Sequence, residues 1–198
     1  MNTTQSALTT TTVFSDDGTK RYLLQKCWDP TLPKICVIML CAGTAAEHTL
    51  DSTNLLVLNN SVTLGYGTVD VLNLFSTVGD YALKEAEEED PENMDAILTS
   101  AKQADTIVYC PGVGKTKNKD FMLRSKQVLE ALRPYESKLY CLTDEHGHAR
   151  LQHPLSPAVR TWHLSRLKIS ELLPPEEEPQ DTPKKESVGK FPKATKIK

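Results

Sequence analysis

The chain has 198 residues and lacks the marks of several protein classes. No apolar run approaches the roughly 20 residues needed to cross a bilayer. The amino-terminal residues are rich in Thr and Ser and have no apolar core segment, so no secretory signal is expected. There is no basic excess: 23 Lys and Arg stand against 26 Asp and Glu, a formal net charge of -3. That excludes the strongly positive field by which proteins hold duplex nucleic acid through charge alone. Cysteines are few and unpaired in pattern. Cys27, Cys36, Cys41, Cys110 and Cys141 are odd in number and show no CxxC spacing. This argues against a disulfide framework and against a structural zinc site. Cys36, Cys110 and Cys141 sit in apolar runs, where a cysteine acts as a small hydrophobe. A reduced, cytoplasmic protein is expected, with no cofactor, no metal and no membrane association.

What is present is a central stretch. Residues 35–40 form a continuous apolar run, and a small polar loop follows at once: Cys41-Ala42-Gly43-Thr44-Ala45-Ala46-Glu47-His48-Thr49-Leu50-Asp51. The run reads as a strand buried on both faces. The loop lies where open α/β sheets bind ligands, beyond a strand's carboxyl end. Further strands are expected over residues 69–75, 105–110 and 138–142. Residues 53–64 read as a helix with Leu55, Leu56, Leu58 and Val62 as its apolar stripe. Residues 91–104 form a helix with Pro91 near its first turn. Another covers residues 121–132, with Phe121, Leu123, Val128, Leu129 and Leu132 apolar. A hairpin turns at Asp17-Gly18, and residues 21–26 are its returning strand. Residues 1–12 are expected to be a disordered leader, 13–173 a single domain, and 174–198 a disordered tail rich in Pro, Glu and Lys. The acidic run 81–90 reads as a solvated segment. Alternation of strands and helices predicts an α/β fold, a three-layer sandwich around a central, mostly parallel sheet. Its strand ends bring together residues 41–53, 73–75, 111–115 and 143–153.

Several residues there carry chemistry. Asp51 and His48 are able to serve as acid or base, and Asp51 equally suits the cap of the following helix. Cys41 is either a nucleophile or a packing residue. Asn73 offers a paired donor and acceptor to a base edge, or ties down a loop. His153, beside Pro154, is able to polarise a bound carbonyl or to cap local backbone. Pro111-Gly112-Val113-Gly114-Lys115-Thr116 follows a strand and precedes a helix, as a phosphate-binding loop does. Aligning its Gly-Lys-Thr on the full pattern puts the first glycine at Tyr109, inside the strand. Residues Gly112 to Thr116 then read as an anion site at the helix start, a P-loop-like phosphate cradle with Gly112, Gly114 and Lys115 in contact with the ligand. Asp144, Glu145, His146 and His148 read as a turn around Gly147 rather than a metal site. Lys115, Lys117, Lys119, Arg124 and Lys126 form either a basic face or a solvated helix start.

These residues also carry a resemblance. The chain resembles a family of bacterial and phage proteins, the domain of unknown function numbered 1643. The likeness rests on Arg21-Tyr22-Leu23, Trp28, Ile38-Met39-Leu40, Asp51-Ser52-Thr53, Gly65-Tyr66-Gly67, Asn73-Leu74-Phe75, Asn93, Pro111-Gly112-Val113-Gly114 and His153-Pro154-Leu155, in that order. Cys41-Ala42-Gly43 stands where members carry N-P-S. The order of motifs is in turn similar to that of the uracil-DNA glycosylase superfamily. It implies a uracil-DNA-glycosylase-like fold and a hydrolase of N-glycosidic bonds acting on a nucleobase, nucleotide or nucleic acid. Asn73 would read the base, His153 would assist cleavage, and Asp51 is the acid left to activate water. Cys41 and Thr44, with Asn73, Gly112, Gly114 and Lys115, complete the expected substrate-binding set. The replacement of N-P-S implies as an alternative a non-catalytic nucleotide-binding or protein-interaction domain.

Overall fold

The computed structural model describes residues 1–44, 48–79, 90–114, 118–148 and 150–173. The chain runs through β1 (Thr9–Phe14), β2 (Arg21–Cys27), β3 (Lys34–Ala42), α1 (Ser52–Thr63), β4 (Thr68–Val78), α2 (Pro91–Gln103) and β5 (Thr106–Tyr109). It continues through α3 (Lys119–Ala131), β6 (Leu139–Thr143), β7 (His163–Arg166) and a one-turn helix, α4 (Ile169–Leu172). The strands form one sheet in the order β1-β2-β4-β3-β5-β6-β7. The four central strands are mutually parallel. The flanking pairs β1–β2, β2–β4 and β6–β7 are antiparallel. The sheet is therefore mixed, with the expected parallel pairing confined to its middle. Among the described residues no helix is long and apolar enough to cross a membrane.

The pleat explains the layers. Ile35, Cys36, Val37, Ile38 and Met39 are all buried, because helices cover both faces of β3. Val37, Val69, Val71 and Met39 pack with Val57 of α1 and with Trp162. Ile38, Leu72 and Leu74 pack with Ile97 of α2 and Phe121 and Val128 of α3. Burial pushes the Cys36 and Cys110 thiols up, which fits their use as small hydrophobes.

Four sequence expectations need correction. The expected stripe of α1 does not face the core: Leu55 and Val62 are 45% and 50% exposed, while Asn54, Val57, Asn60 and Ser61 are buried. Hydrogen bonds decide this face. Asn60 Nδ2 donates to the Leu56 and Arg160 carbonyls (2.8 and 3.1 Å), and its Oδ1 accepts from the Trp162 N–H (2.9 Å). In α3, Leu123 is exposed and Arg124 is buried, the reverse of the apolar reading. The leader is not disordered throughout, since Thr9 to Thr12 belong to β1, and β-branched threonines suit such an edge strand. β7 had no counterpart in the sequence reading. It has four residues with an outer, half-polar pattern, and only the open edge of β6 makes it a strand. The expected acidic segment, apart from Asp90, and the expected tail lie outside the described residues.

Asn60 also fastens the segment after His153 onto α1, so it sets how two site elements meet. Its removal strands the buried Trp162 N–H and takes the donor from the part-buried Arg160 C=O. Asn60→Ala is expected to lose roughly 2–3 kcal/mol, read as a lower urea midpoint, from the unpaired-group penalty of about 1–3 kcal/mol.

Candidate functional site

From β3 the chain passes through α1 to β4 on one side, then through α2 back across to β5 on the other. Winding reverses between β3 and β5. In a sheet of this kind the crevice at such a switch point, beyond the strands' carboxyl ends, is the place for a ligand. Antiparallel β2 begins at that same edge and delivers Arg21 to it.

Five residues from separate segments meet there. Arg21 is 3% exposed, and its Nη1 donates to the Gly43 carbonyl at 3.1 Å. Burial lowers its pKa, and the charge of Asp51 opposes that shift. Asp51 is the N-cap of α1: Oδ1 accepts from the Asn54 N–H at 2.7 Å. Its Oδ2 lies 3.2 Å from where a Cβ on Gly43 would stand, so only glycine admits this carboxylate without a shift. His153 is half-buried. Burial lowers its pKa from the ordinary 6.5, and Asp51 again pulls the other way. His153 Nδ1 accepts from the Leu155 N–H at 3.2 Å. The neutral ring therefore carries its proton on Nε2, as a donor. The same histidine packs on Gly112, whose φ of +86° and closeness (3.2 Å from a built Cβ to the His153 Cβ) both require glycine.

Asn73 lies opposite Met39, two residues beyond Val71 on the α1 side of the sheet, and in the middle of β4 rather than at the strand end expected from the sequence, because β4 stays paired with β3 as far as Val78. It is 1% exposed, and among the described residues neither Nδ2 nor Oδ1 has a hydrogen-bond partner. Its backbone is held firmly. Asn93 Nδ2 donates to the Asn73 and Leu74 carbonyls (3.1 and 3.2 Å), and Arg124 Nε donates to Leu74 O at 2.9 Å. Asn54, one turn before Val57, is also buried with its Oδ1 unpartnered.

The remaining expected residues separate. Cys41 is half-buried and packs against the α2–α3 side of the core. Thr44 is exposed, with its methyl 3.7 Å from a Cβ built on Gly79. Gly114 is exposed, and Lys115 and Thr116 lie outside the described residues. The helix after this loop starts at Lys119 and is capped by Asn118, whose Oδ1 accepts from Phe121 N–H at 2.9 Å. Arg124 is buried against the Leu74 carbonyl of β4, which withdraws it from the expected basic face. His48 is exposed. Asp144 Oδ1 accepts from the His146 and His148 N–H groups (3.1 and 2.7 Å), and no metal-binding cluster occurs among the described residues. The sequence reading did not give Arg21 or Arg124 these places. An arginine opening a strand or within a helix carries no local sign of burial.

The chain matches the model of the family described as protein of unknown function (DUF1643) over residues 21–155, and it belongs to that family. Nothing among curated proteins or solved structures matches it.

Two outcomes follow from the geometry. Asp51→Asn keeps a capping oxygen and Asp51→Ala does not, so the Ala variant is expected to be the less stable of the two by about 1 kcal/mol in chemical unfolding. For His153, the unfolded chain takes up the ring proton first. Its full stability is present above the unfolded value of 6.5 and is lost as pH falls through the lower folded value. Between pH of about 7 and 5, wild-type stability should therefore fall more steeply than that of His153→Gln.

Proposed function

We propose that this member of the family binds a nucleobase, as part of a nucleoside or nucleotide, at the carboxyl ends of β3, β4 and β5, and hydrolyses its N-glycosidic bond. The observation that carries the reading is Asn73. A buried amide with both polar atoms unpaired costs free energy that folding alone does not return. An asparagine side chain presents a donor and an acceptor side by side, the complement of a base edge carrying the reverse pair. The similarity of motif order to the uracil-DNA glycosylase superfamily supports the same assignment.

Chemically, water attacks the anomeric carbon as the carbon–nitrogen bond breaks. Asp51 accepts the water proton through Oδ2, since Oδ1 is occupied by the α1 cap. The bonding pair passes to the base, and the Nε2–H of neutral His153 donates to the base oxygen where negative charge gathers. The base leaves as an anion and takes a proton from solvent. Arg21 holds the Gly43 carbonyl and so the backbone against which Asp51 sits. A second reading, binding without hydrolysis, is favoured by one observation: Cys41 turns to the core where members carry the Asn of N-P-S.

A thermal-shift screen against nucleobases, nucleosides, nucleotides and short single-stranded DNA tests this, because a ligand of the folded state raises Tm. Wild type should respond to a base or nucleoside, and Asn73→Leu should not. Without ligand, Asn73→Leu should be more stable than wild type by about 1 kcal/mol, a Tm rise of roughly 2–4 °C. A lower Tm in that variant would remove the case for a vacant amide. Base release lost in Asp51→Asn supports hydrolysis, whereas a thermal shift with no base release assigns binding alone.

A further inference from the structure

A groove away from the strand ends also has the features of a binding surface. Two depressions of about 600 and 330 Å³ share Val13, Asp95 and Ala96, and join along the seam between the β1–β2 hairpin and α2. Their walls combine apolar and acidic groups. Val13 and Phe14 are 43% and 39% exposed, and Asp16, Glu92 and Asp95 stand at the rim. Lys34 enters the lower end, but it is already paired with buried Asp70 at 2.7 Å. Among the described residues none of Asp16, Glu92 and Asp95 is paired with a cation. The groove is thus an apolar floor under three uncompensated carboxylates.

The chain contains a segment of complementary chemistry. Residues 184–198 hold six lysines (Lys184, Lys185, Lys190, Lys193, Lys196 and Lys198) and a single acid, Glu186, interleaved with Val188, Phe191 and Ile197. Reach is ample. Leu172 and Leu173 pack on the same side of the sheet as α2. From β6 to β2 is four strand spacings, about 19 Å. The 17 residues from Leu173 to Lys190 span at most about 55–60 Å. We infer that the Lys- and Phe-bearing segment 188–196 of this chain docks in the acidic groove between the β1–β2 hairpin and α2, with Phe191 against the apolar floor and Lys190 and Lys193 facing Glu92 and Asp95.

Zero-length carbodiimide cross-linking of the full chain tests this, with peptide mapping of the monomer band. The expected product joins Lys190 or Lys193 to Glu92, Asp95 or Asp16, and its yield falls several-fold between about 0.05 M and 1 M salt as the charges are screened. Glu92 and Asp95 are exposed, so Glu92→Lys with Asp95→Lys should fold with an unchanged circular dichroism spectrum and lose the product. Adding Lys190→Glu and Lys193→Glu to that variant should restore it in the reverse sense. A product confined to the dimer band would give the groove to a second copy. Tail lysines joined only to the Glu176–Glu178 neighbourhood, or no tail product at all, would overturn the proposal.

Discussion

Burial of β3 on both faces is the constraint from which the rest follows. Five successive residues, Ile35 to Met39, are removed from water, and each face needs its own cover. The chain supplies α1 and the Trp162 segment on one side, and α2 and α3 on the other. To cover both, it must wind first one way and then the other around β3. That reversal creates the crevice between the ends of β3 and β5. The site is thus a by-product of how a doubly buried strand is covered.

Polar groups inside that frame divide into two kinds. Asn93 gives both amide donors to the Asn73 and Leu74 carbonyls in the middle of β4, Arg124 Nε donates to Leu74 O, and Asn60 uses both ends of its amide between α1 and the Trp162 segment. These hold the walls in place. Asn73 is equally buried and holds nothing among the described residues. Asp51 lies between, with one oxygen given to the helix and the other turned to Gly43. Asn93 uses its donors internally and leaves only Oδ1 without a partner among the described residues, whereas Asn73 leaves its whole side-chain capacity open.

The central strands, the loops at their ends and the capping aspartate were legible, because a continuous apolar run followed by small and polar residues has few other readings. The inward face of α1 was not. Leu55, Leu58 and Val62 follow helical spacing as well as Asn54, Val57 and Ser61 do, and apolarity favoured the wrong set. Only the pairing of Asn60 with Trp162 and Arg160 selects between them. Leu123 and Arg124 reversed for a similar reason: the guanidinium finds the Leu74 carbonyl of β4, a partner fifty residues away in the chain.

By itself the sequence determined the order of the four central strands and of α1 to α3, the two-sided burial of β3 and the placing of Gly43, Asp51, Gly112 and His153 beyond strand ends. Those depend on local periodicity and on residues that only turns and caps accept. Tertiary structure alone decided that Arg21 lies behind Gly43, that Asp51 is within electrostatic reach of both Arg21 and His153, and that Asn73 is buried without a partner. Each of these depends on which distant groups meet in space. Hydrogen-bond capacity is a property of a residue, but whether it is used depends on its neighbours in the fold.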